Sequence, residues 1–154
     1  MSFDVKPVTG ADVVPLESVK VRPDQDKFVA PNPITIAQAR FEGEGAYDFV
    51  LWDGETRVGL IAVIDMGVYP DRDPEDDPEA IYVWRLLVGA EFQGKGYGRK
   101  AMAWAEDWAQ TRGRSKIQIQ AVEENVATIA IYEHLGYRRT GVVVGKEIQL
   151  EKAL

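Results

Sequence analysis

The segment Gln93-Gly94-Lys95-Gly96-Tyr97-Gly98 constrains this chain more than any other, because three glycines at alternate positions let the backbone approach a ligand without Cβ clashes. It stands between two contrasting stretches. Residues 81–88 are rich in aromatic and branched side chains and stop at Gly89, which predicts a strand. From Gly98 onward Ala101, Ala105, Trp108 and Ala109 fall on one side of a helix, and Gly113 suits its left-handed C-terminal cap. In this order of strand, glycine loop and helix, the loop amides converge near the positive end of the helix dipole and form an anion site. Lys95, Arg99 and Lys100 add positive charge. A phosphate-bearing ligand is the functional expectation, although a tight turn with no ligand fits the spacing equally well. The loop lacks the Gly-Lys-Ser/Thr ending of a nucleotide-triphosphate loop. Its place after several expected strands does not suit the first turn of a dinucleotide-binding fold.

Around this core the pattern alternates between helix and strand. Thr9, with Asp12 three residues on, predicts a helix start, followed by the apolar stripe Val13, Leu16 and Val19. Residues 21–33, with Pro23, Pro31 and Pro33, read as a loop, and residues 34–40 as a second short helix. Residues 49–52 and 57–65 form two strands around the Asp53-Gly54 turn. Residues 69–79 carry Asp71, Asp73, Glu75, Asp76, Asp77 and Glu79 against Arg72 alone, the signature of an exposed loop. Residues 116–122 alternate as a half-buried strand, Asn125 is placed to cap a helix over 126–135 that Gly136 ends, and residues 137–144 and 147–151 pair around Gly145-Lys146. With no repeat and no interdomain linker, residues 1–154 are expected to form one domain.

Composition narrows the chemistry. The formal charge of −7 argues against a sequence-independent nucleic-acid binder, and either favours a cationic partner or serves solubility alone. The absence of cysteine removes disulfides, thiolate zinc sites and a cysteine acyl-enzyme; one histidine leaves little for a metal cluster, so no metal is expected. The N-terminal residues carry Asp4 and lack the basic-then-apolar pattern of a signal peptide, and no apolar run reaches membrane-span length, so a cytoplasmic protein without membrane partners is expected.

Gln93, Gly96 and Gly98 match the Gln/Arg-x-x-Gly-x-Gly/Ala pattern of the GNAT superfamily of N-acetyltransferases. Downstream, Asn125 and Ile131-Tyr132-Glu133-His134-Leu135-Gly136-Tyr137 resemble the second segment of that family. The two motifs and the strand before them span residues 81–137. The resemblance implies an α/β fold of α+β character, with a central, mostly antiparallel, splayed sheet flanked by helices. It also implies acetyl-CoA as acyl donor. The pantetheine arm would lie between the strands at 81–88 and 116–122, touching the backbone of Leu87 and Val88 and the side chain of Asn125. The pyrophosphate would sit on Gln93, Gly94, Lys95, Gly96, Tyr97 and Gly98, with Arg99 alongside. Tyr132, also near the cofactor, would be the acid that serves the departing thiolate.

Direct transfer needs a neutral amine, and an alkyl amine of pKa about 10.4 is mostly protonated at pH 7, a penalty of roughly 4 to 5 kcal/mol. The resemblance implies a carboxylate base on the strand before the glycine loop, or a water chain leading to one; here the strand at 81–88 carries no acid, so Glu79 just ahead of it is the candidate base, with Glu123 or Glu124 as substitutes. His134 suits a helix C-terminus and is assigned no chemistry. Trp84, Trp104 and Trp108 read as core aromatics, Trp84 being near enough to line the cleft. Residues 21–30, followed by Pro31 and residues 34–39, resemble the N-terminal part of bacterial spermine/spermidine acetyltransferases, which implies a small cationic amine, a diamine or polyamine, as acceptor. Here Trp84 stands before Arg85 where that subgroup often has an acid. The acids of residues 71–79 would attract such a polycation. Aminoglycosides and peptide N-termini are the next amines to consider, a non-catalytic acyl-CoA-binding module or a nucleotide binder are the other classes, and relatives imply a possible homodimer.

Overall fold

A computed structural model describes residues 2–154. The strands are β1 (Phe3–Pro7), β2 (Ala46–Asp53), β3 (Thr56–Asp65), β4 (Ala80–Val88), β5 (Lys116–Val122), β6 (Arg138–Val144) and β7 (Glu147–Ala153). The helices are α1 (Val13–Glu17), α2 (Asn32–Glu42), α3 (Tyr97–Thr111) and α4 (Val126–His134). The strands form one seven-stranded mixed sheet in the order β1-β2-β3-β4-β5-β7-β6. Among these strands only β4 and β5 pair in parallel.

Alternation along β2 and β3 divides the core. Leu51 and Ile61 join Ala101, Met102, Ala105, Ala109 and Ile129 beneath α3 and α4. Their neighbours Val50 and Leu60 join Leu16 and Ile36 under α1 and α2 on the opposite face. The period of two that a strand imposes thus feeds two apolar layers from one sheet. Trp104 and Trp108 pack with Phe49, at centroid distances of 4.5 and 5.9 Å, as core aromatics.

Local chemistry sets the ends of the elements. The Asp12 carboxylate accepts the backbone N–H of Thr9 at 2.8 Å and its hydroxyl at 3.0 Å, and pairs with Arg57 Nε at 2.9 Å. Pro33 lies in the first turn of α2, where its missing N–H leaves no bond unmade, so the helix starts earlier than the proline suggests. The Asn125 side chain makes no capping hydrogen bond, contrary to expectation; the backbone turns there through Asn125 N–H to Val122 O at 2.8 Å. β1 went unpredicted, although Phe3-Asp4-Val5-Lys6 carries the alternation of an edge strand and pairs with residues of β2.

The parallel pairing of β4 and β5 runs from Ala80 opposite Lys116 to Val83 opposite Ile119 and then stops. Against β3, Val83 faces Val63 and Arg85 faces Ala62, so Trp84 is an extra residue. A bulge bends its strand and increases its twist. Here it falls at the residue where β4 leaves β5, so the expected splay has a local cause.

Candidate active site

The splay opens a cleft of about 1090 Å³. Its walls are the free ends of β4 and β5, the glycine loop with the start of α3, one side of α4, and the segment from Val21 to Pro31.

The glycine loop has the geometry of an anion cradle. Gly94 and Gly96 have φ of 76° and 88°, in the left-handed region that glycine enters without strain. A Cβ built on Gly94, Gly96 or Gly98 would meet nothing within 4 Å, so the space over the loop is open. The first intrahelical bond of α3 runs from Lys100 N–H to Gly96 O at 3.1 Å, leaving the amides of Tyr97, Gly98 and Arg99 without intrahelical acceptors at the positive helix end. Arg99 lines the cleft; Lys95 and Lys100 are exposed outside its lining, the latter over the rings of Phe3 and Tyr97. The Tyr97 hydroxyl donates to Asp53, which anchors the first residue of α3 to β2 and holds the phenol protonated.

Gln93 locks the loop in place. Its Nε2 donates to Val88 O at 3.1 Å and to Gln25 Oε1 at 3.0 Å, while its Oε1 accepts from Arg22 Nη1 at 2.8 Å. One side chain joins the end of β4, the loop and the 21–31 wall. Arg22 and Gln25 lie about seventy residues away in sequence, and no local pattern announced them.

The backbone of β4 corrects one expectation. Gly89 N–H bonds to Val58 O at 2.9 Å, and Leu87 faces Leu60 with its carbonyl turned onto β3. By antiparallel alternation the N–H and C=O of Leu86 and Val88 point away from β3 into the opening. Leu87 is buried and does not line the cleft; Leu86 and Val88 do. Leu86, not Leu87, therefore offers the free edge beside Val88.

Glu79 is also displaced. It is exposed, its carbonyl accepts Ser115 N–H at 3.0 Å, and it precedes the end of β4 where that strand is still paired with β5. Four residues of strand rise, about 13 Å, separate it from the fork at Val83. The acidic loop behaves alike. Asp76 and Asp77 accept backbone N–H groups of Asp73 and Glu79, and Asp77 pairs with Lys116 at 2.7 Å, which holds its carboxyl below the usual range. No residue of the loop from Asp71 to Glu79 lines the cleft. Of the two other candidates, Glu124 reaches the lining but pairs with Lys27 at 3.0 Å, whereas Glu123 lies outside it.

Two tyrosines meet beneath the cleft. Tyr132 and Tyr137 pack edge to face with centroids 6.1 Å apart. Tyr137 donates its hydroxyl to Glu106 at 3.0 Å, and Lys152 holds the other Glu106 oxygen at 2.8 Å. Tyr132 lines the cleft, and burial alone raises its pKa well above the ordinary phenol range; no hydrogen bond contributes. Its hydroxyl is thus a protonated donor without a partner among the described residues. Asn125 lines the cleft nearby, while His134 stays exposed outside it.

Known proteins agree with this architecture. Over 146 residues, 92% of this chain and 91% of the relative, the chain is 21% identical to the spermine/spermidine N(1)-acetyltransferase of Bacillus subtilis (strain 168). The fold is similar to an acetyltransferase from Thermus thermophilus, with a TM-score of 0.79, 20% identity and coverage of 100% of this chain and 98% of that one. It is also similar to the spermidine N-acetyltransferase from Vibrio cholerae in complex with CoA and spermine, with a TM-score of 0.72, 15% identity and coverage of 98% and 95%. The acetyltransferase (GNAT) family matches residues 16–137, and the chain belongs to that family.

Proposed function

We propose that the protein moves an acetyl group from acetyl-CoA to a primary amine of a diamine or polyamine. The observation that carries this reading is the conjunction, in one cleft, of the unbonded amides at the start of α3 with the unpartnered, protonated hydroxyl of Tyr132. The acyl donor supplies a thioester whose leaving thiol has a pKa of about 8.5.

The residues divide the work. The amides of the glycine loop and Arg99 bind the pyrophosphate. The N–H and C=O of Leu86 and the N–H of Val88, whose carbonyl already accepts from Gln93, hold the amide-bearing arm as a neighbouring strand would be held. Tyr132 donates a proton or hydrogen bond to the sulfur as it leaves. Glu79 lies outside the cleft and Glu124 is engaged by Lys27, so neither serves as base, and in this reading the amine loses its proton to solvent before attack. Polyamines are favoured among amines by the relationship to the Bacillus subtilis enzyme.

Thiol release from acetyl-CoA, measured with spermidine, spermine, small diamines, an aminoglycoside and a peptide against no-amine controls, tests the reading. Release with the diamines and polyamines supports it. Release confined to the peptide or aminoglycoside would transfer the enzyme to those acceptors, and CoA binding without release to any amine would leave a binding module.

A further inference from the structure

Glu147 opens β7, lines the cleft and is half-buried, and while its backbone pairs with Val122 and Val144 its carboxylate has no hydrogen-bond or ion-pair partner among the described residues. An unpaired carboxylate on the wall of a cleft is a fixed negative charge against which an ammonium group can be held by a charge-assisted hydrogen bond. Other acids at this cleft are already paired or exposed. Asp24 pairs with Arg22 at 3.3 Å, Glu124 with Lys27 at 3.0 Å, and Asp26 is exposed.

The direction of its side chain follows from the register. Ile148 and Leu150 enter the core beneath α3 and α4, so Glu147 points to the opposite face. Across β5 it stands opposite Val122, at the end of that strand which β4 has left. Tyr82 of β4 is on the same face, and its phenol is pushed up to about 12, first by burial and then by the charge of Glu147. Arg85 also lines this side, but its guanidinium is turned to Trp84 O at 2.8 Å and Gln38 Oε1 at 3.4 Å. Tyr132 belongs to the layer under α4. Glu147 and Tyr132 thus reach the opening from opposite faces of the sheet.

Resting on the acyl-transfer reading above, we infer that Glu147 selects amines with a second positive charge, its carboxylate receiving the non-reacting ammonium of a diamine or polyamine while the other nitrogen meets the thioester. A carboxylate held against the reacting nitrogen would keep that nitrogen protonated and oppose attack. Held against the distant one, it contributes binding without that penalty.

The test compares butane-1,4-diamine with butylamine, which has one nitrogen on the same carbon chain. In Glu147→Gln the KM for the diamine rises about ten-fold, as loss of a charged hydrogen bond requires, while the KM values for butylamine and acetyl-CoA hold. Glu147→Asp recovers part of the loss, and Glu123→Gln, the exposed neighbour outside the cleft, changes neither amine. An equal effect of Glu147→Gln on both amines, or none, overturns the assignment. So does a wild-type enzyme that acetylates butylamine as readily as the diamine, a result that leaves amine acetylation standing. A wild type that releases thiol with neither amine, nor with any of the wider panel, removes the functional reading and this assignment with it.

Discussion

Val83 and Ile119 are the last residues at which β4 and β5 stay paired, and the next residue of β4, Trp84, is the one left over by the bulge against β3. The site is therefore a consequence of sheet geometry. Two parallel strands begin together, one is bent by an extra residue, and the edge groups of Leu86 and the N–H of Val88 are left without a strand partner, while Val88 O is taken by Gln93 Nε2.

Gly59 secures the other side of β4. A Cβ there would stand 2.2 Å from Leu87 O, so Gly59→Ala must wedge β3 from β4. A loss of about 2 to 3 kcal/mol is expected in urea unfolding, the scale of overpacking in a filled core. A midpoint equal to wild type would show that the strands part without strain.

Gly96 tests the cradle. At φ 88° an alanine is strained though it meets no neighbour, and Gly96→Ala should lower stability by about 1 to 2 kcal/mol. The shifted amides should weaken CoA binding more than ten-fold, as read by calorimetry, with Tyr132 untouched. Unchanged binding would place the pyrophosphate elsewhere.

Asp65 ties the far end of α3 to the sheet. It is buried, and its carboxylate accepts Arg112 Nε and Arg114 Nε, each at 2.7 Å, and Gly67 N–H at 2.9 Å. Burial alone would raise its pKa, but these bonds outweigh it and the pKa lies below the ordinary value. A lowered folded pKa means stability that is present above the unfolded value of about 3.9 and lost as pH falls below it. Asp65→Asn, which leaves two guanidiniums facing a neutral amide, should cost about 3 kcal/mol at pH 7 and flatten this acid limb. A limb of the same slope in the variant would assign the acid sensitivity to other carboxylates.

The pH dependence of turnover has its own sign. With the amine losing its proton to solvent, kcat/KM for a diamine should climb through pH 6 to 9 as the neutral amine accumulates. Tyr132 should add no descending limb below about pH 10, because burial raises its pKa and keeps it a donor. Glu79→Gln should follow the same profile at the same rate, and a loss of kcat/KM in this variant with folding and CoA binding intact would restore Glu79 as base.

The sequence made the local parts of this site readable. The glycine loop and the Tyr132 segment are legible because each motif lies within a few consecutive residues, and both line the cleft. Parity did not come through: Leu86 and Leu87 are equally apolar, and only the register with β3 decides which turns its backbone to the opening. Glu79 is near the strand in sequence, but a strand separates its two ends by its whole length. The tie from Gln93 to Arg22 and Gln25, and the arrival of Glu147 at the cleft through pairing with Val122, depend on sheet topology that no short window contains.

Replacing Tyr132 by phenylalanine and following amine-dependent thiol release tests the account most directly. The hydroxyl holds no partner among the described residues and the ring keeps its packing on Tyr137, so Tyr132→Phe should fold with wild-type stability and bind CoA as before. Its kcat should fall on the order of 100-fold, the contribution of a placed proton donor. Turnover at the wild-type rate by the folded, CoA-binding variant would contradict the account and remove Tyr132 from the chemistry.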